Sequence, residues 1–254
     1  MFSEYSVVFL ILPVLTEKTM NQAKQKYTFG WLNDLAKLLF PNTCVGCSQP
    51  LNAGEDSICI DCLIKLPRTN YHRLKKNPVS DKFRGRLRIS DASSFLYFAR
   101  GSSVRSLIHQ LKYNGRQDIG LRLGALYARD LISDGYDRPD IIIPLPLHHS
   151  KQKLRGYNQC VPIVEGLNKY FQTEMGKATI KRVSNNPTQT RKGRFQRWEN
   201  VEKIFQIAEP SKIIGKHVLL IDDVITTGST LEACGRIVLE AGASRLSVLT
   251  IATA

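Results

Sequence analysis

Two stretches of this 254-residue chain combine residue types and spacings that could do chemistry. In the first, Val218-Leu-Leu-Ile runs into Asp222-Asp223-Val224-Ile225-Thr226-Thr227-Gly228-Ser229-Thr230. A buried strand that ends on two adjacent carboxylates delivers them to the edge of a sheet. The Thr, Gly and Ser that follow open into a helix. Backbone N–H groups and hydroxyls at a helix start form a cradle for an anion, and Gly228 lets the backbone approach it closely. Carboxylates repel a phosphate but accept hydrogen bonds from a vicinal diol. Diol on one side and phosphate on the other describe a ribose 5-phosphate. The alternative is an acidic strand end whose Thr or Ser merely caps the next helix.

The second stretch holds Cys44, Cys47, Cys59 and Cys62, two C-x2-C pairs separated by eleven residues. Each short turn aims two thiolates at one point, which suits tetrahedral zinc. The linking SQPLNAGEDSI contains the Pro, Asn, Gly and Asp of a turn, as a hairpin between two knuckles requires. Four protein ligands leave no open position, so such a zinc is structural rather than catalytic. A module of about 25 residues cannot build a core and draws most of its folding free energy from the metal. Two disulfides, or a metal-free site, are the alternatives, and disulfides are uncommon in a reducing cytosol. Cys160 and Cys234 stand alone within apolar helical patterns and read as buried thiols.

The elements that must position these residues are legible as alternating apolar runs and helical periodicity. Strands are expected around Phe95 and Tyr97, at Ile141-Ile142-Ile143 before Pro144-Leu145-Pro146, at Val218 to Ile221 and at Leu246 to Ile251. Helices are expected over Val104, Leu107, Ile108 and Leu111, from Val161 to Leu167, and from Thr230 to about Ala241, stopped by Gly242. Uniformly apolar strands separated by helices predict a parallel α/β sheet, whose ligands lie at the carboxyl ends of the strands. Upstream, Trp31, Leu32, Leu35, Leu38 and Leu39 predict an amphipathic helix ending before Pro41 and packing on the main domain. The chain therefore divides into an extension with this helix (1–40), a four-cysteine module (41–67) and a large domain (68–254).

Hydrophobic residues make up 43% and charged residues 23%, which excludes a disordered tail. The formal charge is +14 and asks for an anionic partner. Residues 63–120 carry thirteen basic and three acidic side chains, and residues 181–198 carry six basic and none acidic. By contrast, residues 1–62 are slightly acidic, with four basic against six acidic. The cysteine module is thus a poor main anion-binding surface. In the basic stretch KRVSNNPTQTRKGRFQRW, Arg191, Lys192, Arg194 and Arg197 could meet phosphates, while Phe195 and Trp198 could stack on bases of single-stranded nucleic acid. The same stretch suits a mobile hood closing over a polyphosphate, or a solvated loop anchored by its two aromatics.

Val7 to Leu15 is apolar for nine residues around Pro13, well short of the ~20 that span a bilayer. It has Glu4 rather than a basic stretch ahead of it, unlike a secretory signal. Two readings of residues 1–19 stay open: a natural extension, or an artefact with translation starting at Met20. No membrane insertion is expected, and the cytoplasm is the default compartment.

The segment from Val218 to Thr230 resembles the 5-phosphoribosyl 1-pyrophosphate (PRPP) motif of type I phosphoribosyltransferases at all thirteen positions. Other pieces resemble one branch of that superfamily, the ComF proteins associated with DNA uptake and competence. They are Leu111-Lys112-Tyr113-Asn114-Gly115, Ile143 to His148, Arg155-Gly156-Tyr157-Asn158-Gln159, and Asn186-Pro187-Thr188-Gln189-Thr190 leading to Arg197 and Asn200. The paired cysteines ahead of the large domain match as well. The resemblance covers roughly residues 40–254 and implies a type I phosphoribosyltransferase-like parallel sheet flanked by helices, with a small zinc-ribbon-like module in front. It implies that Asp222 and Asp223 bind ribose hydroxyls and that Thr226 to Thr230 hold the 5-phosphate. Pro144, Leu145, Pro146 and Leu147 would flank pyrophosphate. Lys112 and Arg155, with Mg²⁺, would neutralise that leaving group, although either could be a plain surface cation. Asn158 and Gln159 could contact the same ligand or only cap the following helix. Two activities remain in view: phosphoribosyl transfer from PRPP to an unidentified acceptor, and a non-catalytic platform for single-stranded DNA beside the uptake machinery.

Overall fold

A computed structural model describes residues 42–99, 101–183 and 204–254. The expectations for the extension 1–40 and for Arg191, Lys192, Arg194, Phe195, Arg197 and Trp198 lie outside the described residues.

In chain order the described elements are α1 (Ile60–Ile64), α2 (Pro78–Asp81), β1 (Asp91–Tyr97), α3 (Ser103–Tyr113), α4 (Gln117–Ser133) and β2 (Ile141–Pro144). They continue with α5 (His149–Arg155), α6 (Cys160–Phe171), β3 (Glu174–Met175), β4 (Ile180–Arg182), β5 (Phe205–Ile207), β6 (His217–Ile225), α7 (Ser229–Glu240) and β7 (Arg245–Thr253). Five strands form one parallel sheet in the order β1-β7-β6-β2-β3. The strands and helices expected from apolar patterning are present within a few residues of their expected ends.

Period-two alternation explains how both faces of this sheet are covered. Ile142, Leu219, Ile221, Leu249 and Ile251 face one buried cluster with α3, α4 and α6. Ile141, Ile143, Val218, Leu220 and Val248 face the other, with α7, β4 and β5. In β6 the positions from Val218 to Ile221 are therefore all apolar, and Asp222 and Asp223 emerge only toward its carboxyl end.

Two helices escape the periodicity reading. The longest described helix, α4, buries Ile119, Leu123, Tyr127 and Leu131, but Gly120 and Gly124 interrupt its apolar face. Those glycines are contact points rather than breakers. A Cβ on Gly124 would overlap the Ile163 carbonyl of α6, and one on Gly166 would overlap the Leu121 carbonyl of α4. The two backbones touch because neither has a side chain there. The other, α5, buries none of its residues, so it leaves no apolar stripe to find.

The cysteine module departs from the expected hairpin. Thr43 and Pro50 form a single antiparallel bridge that closes the first knuckle. Residues 51–59 run through turns and bends with no strand, and the second knuckle opens into α1. The module also has no separate interior: Cys44, Ile58, Cys59 and Leu66 belong to the same buried cluster as Phe95, Leu96 and Val104.

The basic stretch joins β4 to β5, an antiparallel pair with Ile180 opposite Ile207. Among the described residues no helix is long and apolar enough to cross a membrane.

Candidate functional site

The carboxyl edge of the sheet brings together three of the segments singled out above. Pro144 pairs with Ile221, so the loops after β2 and β6 leave the sheet side by side. The Leu145 amide donates to the Ile221 carbonyl at 2.8 Å, continuing that pairing into the loop. Asn158 then pins the loop to α6: its Nδ2 donates to the Leu145 carbonyl at 2.9 Å while its Oδ1 accepts from the Cys160 amide at 3.0 Å. Asn158 thus satisfies the first amide of α6 and holds the loop at Leu145 at once.

Asp222 lines an open cleft of about 230 Å³ with Val224 to Leu231. Gly228 sits at φ 78° as the N-cap of α7, a backbone conformation that favours glycine. Gly228 has no side chain with which to cap that helix, and the Ser229 amide reaches Thr227 Oγ1 at 3.4 Å. Thr227 Oγ1 and Ser229 Oγ lie 3.0 Å apart, holding two hydroxyls at the same place.

The two carboxylates have different surroundings. Asp223 is 4% exposed, and its Oδ1 meets Lys112 Nζ at 3.0 Å, but its Oδ2 is buried with no hydrogen-bond partner. Asp222 is half-buried, accepts from the Asp223 amide at 2.8 Å and lies 3.5 Å from the Cys160 thiol. Burial, and then the Asp223 charge beside it, pushes the Asp222 carboxyl up to about 7; the Asp223 amide and Lys112 act in the opposite direction. Burial likewise raises the Cys160 thiol, which is therefore neutral and inert as a nucleophile.

Lys112 stands with the acidic pair. Arg155 lies 5.2 Å over the Tyr113 ring and donates to Gln159 Oε1 at 2.7 Å. The Tyr157 hydroxyl donates to the Leu111 carbonyl. The end of α3 and the turn between α5 and α6 are thus clasped together next to Asp222 and Asp223.

Two further residues reach the phosphate-type loop without any motif to announce them. A Cβ on Gly228 would lie 3.3 Å from Phe83, so that ring forms the wall behind the loop. Arg86 donates to the Thr227 carbonyl at 3.5 Å and pairs with Glu232 of α7. Tyr113 and Tyr157, by contrast, fall inside segments already singled out.

On the far side of α3, the ligand atoms of Cys44, Cys47, Cys59 and Cys62 lie within 4.8 Å of one another, and all four cysteines are free. Cys47 Sγ and Cys59 Sγ are 3.7 Å apart. Tetrahedral zinc with Zn–S near 2.3 Å sets sulfurs about 3.8 Å apart, so the cluster is compatible with a structural zinc. Burial pushes the Cys44 thiol up, but the amides of Cys59, Cys47 and Gly46 outweigh it and hold it at about 6. Such amide donors stabilise a ligating thiolate. The module is tied to the large domain by Ser57, which donates to Asp118 of α4.

Residues 158–254 match the family described as the phosphoribosyl transferase domain. With the parallel sheet and its flanking helices, this defines a phosphoribosyltransferase fold carrying a small four-cysteine module. Similar proteins include DNA utilization protein YhgH of Escherichia coli O157:H7, 28% identical over 232 residues that cover 83% of this chain and 96% of that protein. Competence protein ComFC of Bacillus subtilis is 25% identical over 78% of this chain and 84% of its own length. Competence protein F of Haemophilus influenzae is 33% identical over 46% of this chain and 51% of its own length. These similarities, together with the phosphoribosyl transferase domain, support the resemblance to the ComF proteins.

Proposed function

We propose that the protein binds PRPP, or another ribose 5-phosphate, at the carboxyl edge of β6 and works in the uptake or use of DNA. The observation that carries this reading is the cleft itself, lined by a half-buried carboxylate near the end of β6 and by the hydroxyl-rich, glycine-capped start of α7. The 5-phosphate would rest on Thr226 to Thr230 and the ribose hydroxyls on Asp222 and Asp223. A hydroxyl donor near Asp223 would offset the cost of its buried, unpartnered Oδ2. Val224 and Ile225 would carry the loop out of the sheet, and Pro144 to Leu147 would flank pyrophosphate. Carboxylate oxygens are the hard donors that Mg²⁺ takes, and that ion would neutralise charge on the diphosphate. Zinc on Cys44, Cys47, Cys59 and Cys62 would hold the small module. The DNA part of the reading rests on the names of the relatives, DNA utilization and competence. A cytoplasmic location supplies both PRPP and a reducing medium for four thiolates.

In a transferase, the C1–oxygen bond to pyrophosphate breaks as the acceptor bonds to C1, and Lys112 and Arg155 would offset the charge that builds on the departing group. A second reading, a non-catalytic platform for single-stranded DNA, is favoured by the engagement of those two cations. Lys112 is already paired with Asp223, and Arg155 with Tyr113 and Gln159. In that form Arg191, Lys192, Arg194, Phe195 and Arg197 would contact the strand.

Titration calorimetry of the zinc-loaded protein with PRPP and Mg²⁺ tests the shared part of both readings. Binding is expected, and Asp222→Ala with Asp223→Ala should abolish it. No binding by the unaltered protein refutes the ribose 5-phosphate site. Binding without pyrophosphate release, across a panel of nucleobase and amine acceptors, supports the platform over the transferase.

A further inference from the structure

A second cleft of about 630 Å³ lies beside the phosphate-type loop, lined among others by Lys75, Lys76, Arg84 and Arg88. Asp81 and Asp91 also line it, but Asp81 is paired with Arg84, and burial raises the Asp91 carboxyl. Lys75, Lys76 and Arg88 have no acidic partner among the described residues. The two clefts share a wall. Phe83 lines the second cleft and also backs Gly228 of the first, and Arg86, three residues on, reaches Thr227. A cradle for one phosphate is thus followed, one aromatic ring away, by a row of unneutralised cations.

We propose that the β6 cleft accepts the 3′-terminal nucleotide of a single-stranded polynucleotide, with the preceding phosphates running along the Lys75–Arg88 cleft. This rests on the ribose 5-phosphate reading above and extends it to a polymer. The polarity follows from charge. Within a strand, a nucleotide is joined upstream through its 5′-phosphate and downstream through its 3′-oxygen. A 5′-phosphodiester keeps its negative charge and two free oxygens, so it can occupy the Thr226–Thr230 cradle. A downstream phosphate on the 3′-oxygen would instead be driven against Asp222 and Asp223, which disfavour it by like-charge repulsion. Only a nucleotide with a free 3′-hydroxyl escapes that conflict, and its hydroxyl supplies the donor that Asp223 Oδ2 lacks. Its upstream strand leaves past Phe83 and Arg86 toward the cations. Ribose and deoxyribose ends share this chemistry; a ribose end adds a second hydroxyl for the acidic pair.

Fluorescence anisotropy of the full zinc-loaded chain with 5′-labelled decathymidylate reads the proposal directly. A 3′-hydroxyl end should bind at least tenfold tighter than a 3′-phosphate end, a ribonucleotide end tighter still, and PRPP with Mg²⁺ should displace all of them. The triple charge reversal Lys75→Glu, Lys76→Glu, Arg88→Glu should weaken the oligonucleotide and flatten its log–log salt slope by about 2, while PRPP affinity is unchanged. Equal affinity for both ends, or competition by circular single-stranded DNA as effective as by linear, overturns end recognition while leaving PRPP binding to stand. Failure of PRPP and of every oligonucleotide to bind overturns the underlying ribose 5-phosphate reading as well.

Discussion

In the cysteine cluster all four thiols come from nineteen consecutive residues, whereas at the sheet edge the contributing side chains are spread from Phe83 to Thr230. The first centre is assembled by local turns whose thiolates repel one another until a cation joins them. The second is assembled by strand register and helix packing, which hold Asp222 and Asp223 at their places whether or not a ligand is present. The difference is one of dependence. The cluster would take its stability from its ligand, while the edge takes its stability from the scaffold and is somewhat burdened by its own polar groups.

Removing the metal should therefore have the largest effect. Chelation, or Cys59→Ser, should lower Tm by about 10 °C or more, because zinc binding in small modules is worth about 10–16 kcal/mol. Calorimetry with a zinc assay giving one ion per chain checks this, and an unchanged Tm would break the comparison. Next comes the scaffold under the edge. Gly124→Ala should cost about 3 kcal/mol, since the added methyl meets the Ile163 carbonyl rather than a side chain that can move. Urea unfolding should show it, with PRPP affinity falling only as far as the folded fraction does.

Lys112→Met should cost about 2 kcal/mol by leaving the Asp223 carboxylate buried and unpaired. Adding Asp223→Asn should restore most of that loss, which separates pairing from packing. The smallest effect is a gain. Asp222 has its carboxyl raised to about 7 from 3.8, so between those values the native state holds a proton that the unfolded chain has released. Stability accordingly falls as pH rises from about 4 to 7 and stays low above it. Asp222→Asn should raise Tm at pH 8 by about 3 °C, with a smaller rise at pH 5, while PRPP affinity drops at least 100-fold. Thermal scans at the two pH values decide it, and a uniform loss of stability would refute the burdened edge.

The parts of this molecule that the sequence makes legible are those whose chemistry is local. Val218 to Thr230 reads directly because strand, carboxylates, loop and helix start are consecutive. The cysteine pairs read as well, though their linker was expected as a hairpin and forms turns leading into α1. What stays hidden is packing between distant segments. Gly120 and Gly124 look like interruptions of α4 until α6 is laid against them. Phe83 and Arg86 stand more than 140 residues before the loop they touch, and nothing in their own neighbourhood points to it. Lys112 is recognisable as a site residue from its segment, but its partner Asp223 is fixed only by how α3 ends.

The shared interior of the cysteine module and the large domain has a practical consequence. Cys44, Ile58, Cys59 and Leu66 cover Phe95, Leu96 and Val104, so the module behaves as a lid on the core and not as a detachable cassette. A fragment beginning at residue 68 would present that apolar ground to water and should precipitate or recruit copies of itself. Grafting the module onto another protein should fail for the same reason, because the large-domain residues that share its interior would stay behind.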